Sequence, residues 1–167
     1  MTNDNIKSYL ELIVNHVITN EDLYPSHLDK SVIKGISIHF GENVNEYLFK
    51  NGLLGLCLKE KGLVDEWKNT KLYDILISIK AMECTAERNS INADTVLKSI
   101  ITHEFMHAVS VGFAGDNTDE YEKDEQYTDY FAKEVFEALN ASEKYYSPYI
   151  LISKIEETNR YAYFKGL

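Results

Sequence analysis

Apolar and polar positions along the chain fall into three stretches. Ile6, Leu10, Ile13, Val14 and Val17 recur at helical spacing, so a helix is expected from about Asn5 to Thr19, capped by Asp4. Asn20 to Pro25 reads as a turn. From about residue 31 to 84 the period shortens towards two. Strands are expected over Val32–Phe40, Val44–Lys50, Leu53–Lys59 and Tyr73–Lys80, with turns at Gly41-Glu42-Asn43 and Lys61-Gly62. Asn51-Gly52 between two apolar pairs reads as a tight hairpin. Ile75, Ile77 and Ile79 would share one face of the last strand, Leu76 the other, and Trp67 would anchor the preceding connection by packing.

Helical spacing then returns. Ala93, Val96, Leu97, Ile100, Ile101, Phe105, Ala108 and Val109 predict a helix over Ile91–Val111, started by Ser90 or Asn92 and ended at Gly112. Pro148 is placed to open a last helix reaching about Asn159, and Arg160–Phe164 is expected to pack back on the domain. One domain over 1–167 accounts for this pattern.

Composition narrows the class. Hydrophobic residues make up 44% and charged residues 26% of the chain, as in ordinary globular proteins. A net charge of −10 argues against nucleic acid or an anionic membrane as partner. No apolar run approaches the ~18 residues that cross a bilayer. Met1-Thr2-Asn3-Asp4-Asn5 has no basic, then apolar, secretory pattern, so a cytoplasmic protein is expected. Cys57 and Cys84 are too few for a disulfide framework and read as buried, reduced thiols.

Chemistry concentrates in His103-Glu104-Phe105-Met106-His107, an HExxH motif on the expected helix. Residues four apart share a helix face, so both imidazoles can reach one ion, and neutral imidazoles suit Zn²⁺. Glu104, directly after the first His, is the candidate general base towards a water. The competing reading is a helix with two hydrogen-bonded histidines and a surface Glu. His16 has no partner at ligand spacing and reads as a surface or packed residue, His27 carries no chemical signal, and His39 could face the site from a strand but reads as structural.

A catalytic zinc takes three protein ligands. The metzincin continuation fails, because Ser110 and Phe113 stand at its Gly and final His positions. Gly115-Asp116-Asn117-Thr118-Asp119 loosely echoes the aspzincin pattern, with Asp119 as ligand. The segment from Asp124 to Glu134 resembles the glutamate helix of gluzincins, which read ExxxD after HExxH. Its E-x-x-x-D-x-F-A run is similar to that of the small ImmA/IrrE-type metallopeptidases. That resemblance implies Glu125 as third ligand and Asp129 as the acceptor orienting one histidine. Glu122, one turn earlier, competes with Glu125 but has no Asp four residues on. Thr128 and Asp129 stand where those peptidases favour Ala and Asn.

The resemblance covers residues 92–139. It implies an α+β, zincin-like fold: an N-terminal helix, a small twisted, mostly antiparallel sheet, then the HExxH and glutamate helices. It also implies a zinc metallopeptidase acting on a protein or peptide substrate, laid along a sheet edge as an extra strand. Zincins often stabilise the oxyanion with a Tyr or His. No His follows His107, so the Tyr-rich tail would supply that donor, with Tyr146 as candidate. The same group includes non-catalytic phage and stress regulators, so a zincin-fold binding protein is the alternative.

Overall fold

In a computed structural model, residues 2–110 and 118–153 are described, with side chains except those of 118–123 and 153. The chain is α+β. Its elements run α1 (Asn3–Thr19), α2 (Lys30–Lys34), β1 (Ile38–His39), α3 (Glu42–Lys50), β2 (Gly55–Cys57) and α4 (Lys61–Glu66). β3 (Ile75–Ile77), α5 (Ile79–Arg88), α6 (Ala93–Val109), α7 (Thr118–Leu139) and α8 (Pro148–Ser153) follow.

α6 lies at the centre. Every residue from Thr95 to Val109 except Lys98 is buried, as expected for a helix covered on all sides. Asn92 caps it, its Oδ1 accepting from Thr95 N at 3.2 Å, and its C-cap is Ser110. Gly112, the expected stop, lies outside the described residues. α1 presents the predicted stripe, Ile6 to Val17, to the same core, but Thr2 rather than Asp4 accepts from its first turn. α7 lies along α6 with Ala132, Val135 and Phe136 fully buried.

The sheet is small and mixed, in the order β1-β3-β2. β1 runs parallel to β3 and β2 antiparallel to it, which corrects the expectation of a mostly antiparallel sheet. The long crossover through α3, β2 and α4 permits β1 and β3 to run parallel. Ile75 and Ile77 enter the main core. Leu76 joins Val44, Leu48 and Leu58 in a second cluster that Trp67 closes, edge-on to Tyr47 at 4.9 Å.

Most of the expected strand residues are helical or irregular. Residues 30–34 form α2, where Asp29 Oδ1 accepts from Val32 N at 2.9 Å. Residues 44–50 belong to α3, because Val44 and Leu48 stand four apart and share a helix face. Asn51-Gly52 closes that helix rather than a hairpin. Leu53 N donates to Leu48 O at 2.9 Å and Gly52 N to Phe49 O at 3.2 Å, with Gly52 at φ 66°. That is a Schellman cap, which uses glycine's left-handed freedom as a type I′ turn would. Lys61-Gly62 opens α4, and β3 stops at Ile77 because Ser78 caps α5 through Ala81 N.

The last helix begins at Pro148 as expected. Its expected continuation to Asn159 and the 160–164 segment lie outside the described residues. No helix among the described residues is long and apolar enough to cross a membrane. Cys57 is buried and Cys84 half-buried, both as free thiols.

Candidate metal centre

α6 carries His103 and His107 one turn apart on the side that meets α7. α7 brings two parallel pairs to that side, Asp124 with Thr128 and Glu125 with Asp129, each spaced four residues. His103 Nε2 and His107 Nε2 are 3.1 Å apart. Glu125 Oε2 lies 3.0 Å from His103 Nε2, and Glu125 Oε1 lies 3.1 Å from His107 Nε2. All three side chains are buried, and they are the one such ligating group among the described residues.

The two Nε2 atoms and the Glu125 carboxylate thus form a triangle, the nitrogens 3.1 Å apart and each 3.0–3.1 Å from a different carboxylate oxygen. Ligands at zinc-like distances on a tetrahedron would stand about 3.3 Å apart, so each of these separations is close to a ligand–ligand edge of such a site. Glu125 Oε2 is also buried, with no hydrogen-bond partner beyond its 3.0 Å ion-pair approach to His103 Nε2. A buried orphan oxygen is costly unless a cation or donor takes it. This donor set fits a metal ion.

The outer ring nitrogens support the same orientation. His103 Nδ1 is 2.9 Å from Asp129 Oδ1 and 3.3 Å from Tyr145 Oη. His107 Nδ1 is 3.3 Å from Thr128 Oγ1 and 3.8 Å from Asp124 Oδ2. An Nδ1–H held by a carboxylate leaves the Nε2 lone pair facing the triangle. Thr128, which departs from the resembled peptidases, thus touches the second histidine.

Electrostatics match this crowding. Burial alone pushes the His103 imidazole down, but the Asp129 and Glu125 carboxylates and the Glu104 charge lift it to about 10 when no metal competes with the proton. Burial pushes Glu125 up, and the two histidines more than reverse this, holding it far below the usual carboxylate range. Glu104 is raised, chiefly by burial and against the histidines' charges. Its environment therefore favours taking up a proton.

Glu104 lines a narrow cavity of about 110 Å³ with His103, Glu125, Leu53, Leu54, Gly55, Pro148, Tyr149 and Ile152. β2 walls one side. A Cβ on Gly55 would meet Ile100 Cγ2 at 2.8 Å and Glu104 Cγ at 3.0 Å, so glycine lets this strand approach α6 at Glu104. Larger hollows, one of about 870 Å³ by β1 and α3 and one of about 540 Å³ between α1 and β1, hold no such group of donors.

The remaining candidates fall elsewhere. Tyr146 is half-buried against the core, its N–H donating to Ser99 Oγ at 3.2 Å, and it does not line the cavity. Tyr145, its neighbour, reaches the site instead. His39 lies on the far edge of the sheet, 2.8 Å from the buried Asp74 Oδ2. His16 meets Tyr24 Oη at 3.1 Å, and His27 packs on Tyr73. The alternative ligands Asp119 and Glu122 have side chains outside those described. Sequence spacing carried no signal for Tyr145, Ser147 or Gly55, whose roles arise from contacts across the fold. No family model, curated protein or solved structure matches this chain.

Proposed function

We propose that the protein is a zinc-dependent metallopeptidase of the gluzincin type, with His103, His107 and Glu125 as ligands and Glu104 as general base. The observation that carries this reading is the Nε2, Nε2 and Oε triangle with Glu104 one residue after the first ligand. A zinc ion held there would supply Lewis acidity towards a peptide carbonyl and make a neighbouring water more acidic. Glu104 would accept a proton from the attacking water and return it to the leaving amine, a role suited to its raised pKa. Asp129 would keep His103 in the tautomer that presents Nε2.

β2 is the sheet edge that supports substrate binding. Leu54 O and both main-chain groups of Leu58 bond towards β3. By the alternation of the ladder, those of Gly55 and Cys57 face the other way. A peptide added there as an extra strand would run beside Glu104, against which Gly55 is packed.

Elemental analysis of the wild type and of Glu125→Ala tests the centre. One zinc per chain in the wild type, sharply reduced in the variant, is expected. Full zinc in Glu125→Ala would move the third ligand elsewhere, and none in either protein would end the enzyme reading. Glu104→Gln should keep its zinc and lose about 10²-fold or more in peptide turnover. The narrowness of the cavity favours a second reading, a metal-holding binding protein. Stoichiometric zinc with no cleavage of a broad protein panel would select it.

A further inference from the structure

Asp129 does more than face His103. Its Oδ1 also accepts from Tyr145 Oη at 2.7 Å, and its Oδ2 accepts from Ser147 Oγ. Tyr145 is buried, its ring set against Phe136 of α7 at 5.7 Å. The next residue's N–H is fixed to Ser99 of α6. Ser147 Oγ in turn accepts from Ile150 N at 3.1 Å in the first turn of α8. α8 supplies Pro148, Tyr149 and Ile152 to the cavity wall. One carboxylate therefore joins the first histidine, a buried phenol and the helix that walls the cleft.

From this geometry we infer that Tyr145 and Ser147 are positioning residues for the metal centre, acting through Asp129. The inference rests on the metal reading above. A carboxylate flanked by one donor can swing about its χ angles, whereas three donors on two oxygens fix its plane. With that plane fixed, His103 Nδ1–H has one acceptor direction, and Nε2 is aimed at the triangle. Tyr145 is not itself among the residues lining the cavity and meets His103 only at its outer ring nitrogen, so its contribution is to ligand orientation. The Ser147 bond gives the same carboxylate a hold on the cleft wall.

The test is Zn²⁺ affinity of the full chain, by competition with a chromophoric chelator, for the wild type, Tyr145→Phe, Ser147→Ala and Ser147→Thr. The visible spectrum of each protein loaded with Co²⁺ reports ligand geometry without any turnover. Tyr145→Phe should weaken Zn²⁺ binding about 10-fold or more and alter the Co²⁺ bands, in the range found for outer partners of metal-bound histidines. Ser147→Ala should shift both readouts the same way, and Ser147→Thr, which keeps the hydroxyl, should restore them. A loss of core packing alone would lower the melting temperature and leave the Co²⁺ bands of the folded fraction as in wild type. Wild-type affinity and bands in both hydroxyl deletions would overturn the inference. Should Tyr145→Phe not fold, the Ser147 pair decides. A wild type that takes up neither ion would overturn the metal reading and this one together.

Discussion

Gly55 shows how a single residue sets the distance between two parts of the site. Any side chain there would press on Ile100 and on the methylenes of Glu104, and Ile100 is fully buried and has no room to yield. Gly55→Ala should cost about 1–3 kcal/mol, the range for overpacked interiors, as read by denaturant unfolding. Unchanged stability would mean that β2 can slide off α6. His103, Glu104 and His107 were legible in the sequence because their relation is local: two residues four apart on a helix need no knowledge of the fold. Glu125 with Asp129 was legible only through the resemblance of their segment to a glutamate helix, in which the two stand four residues apart. Tyr145 was not. It arrives from an irregular segment after α7, and neighbouring residues on such a segment point to different sides. Tyr145 is therefore buried in the core with its hydroxyl on Asp129, while Tyr146 is half-buried against that core.

At the scale of elements, the helices with full apolar stripes were readable, whereas the strands, though each falls inside an expected one, were drawn far too long. α1 and α6 announce themselves over 17 residues each. β1, β2 and β3 hold two or three residues apiece, too few for alternation to outweigh the helical signals around them. β-branched residues at 32–33 sit in a helical turn because Asp29 caps it, a local hydrogen bond overriding propensity. α5 passed unseen because Ser78 ends a strand and starts a helix in one step. The segment after α7 is tied back to α6 by Lys98 and Glu143, an ion pair supported by Thr95 Oγ1 donating to Glu143 Oε1 at 2.7 Å. The Lys98 hydrogen bond, outweighing burial, holds the Glu143 carboxyl below its usual range. A carboxyl depressed in the folded state stabilises above its unfolded pKa, and that stabilisation fades as pH falls through the folded value. Glu143→Gln should thus cost on the order of 1 kcal/mol at neutral pH, and its difference from wild type should shrink below about pH 4. A pH-independent difference would assign the loss to packing rather than charge.

For the molecule as a whole, the decisive arrangement is that one central helix serves both as the middle of the core and as the bearer of two candidate ligands. Core packing among α1, the sheet and α7 therefore supports the site. Chelation should leave the helical circular dichroism unchanged while lowering the melting temperature. With zinc at about 100 times its dissociation constant the difference should be about 5–10 °C, because only the folded chain presents the three ligands together. Identical melting curves with and without chelator would argue that the histidines and Glu125 are an internal ion-pair cluster and nothing more.

The two histidine nitrogens and the Glu125 carboxylate already stand 3.0–3.1 Å from one another, with each histidine held from behind by α7. A socket formed in advance buries little new surface when it is filled. Titration calorimetry of zinc into the folded chain should accordingly give a heat-capacity change near zero, unlike domains whose folding is coupled to the ion. Loading would then be limited by passage of the ion through a cavity of about 110 Å³, so its rate should follow the size of residues at the mouth, such as Leu53, rather than the stability of the fold.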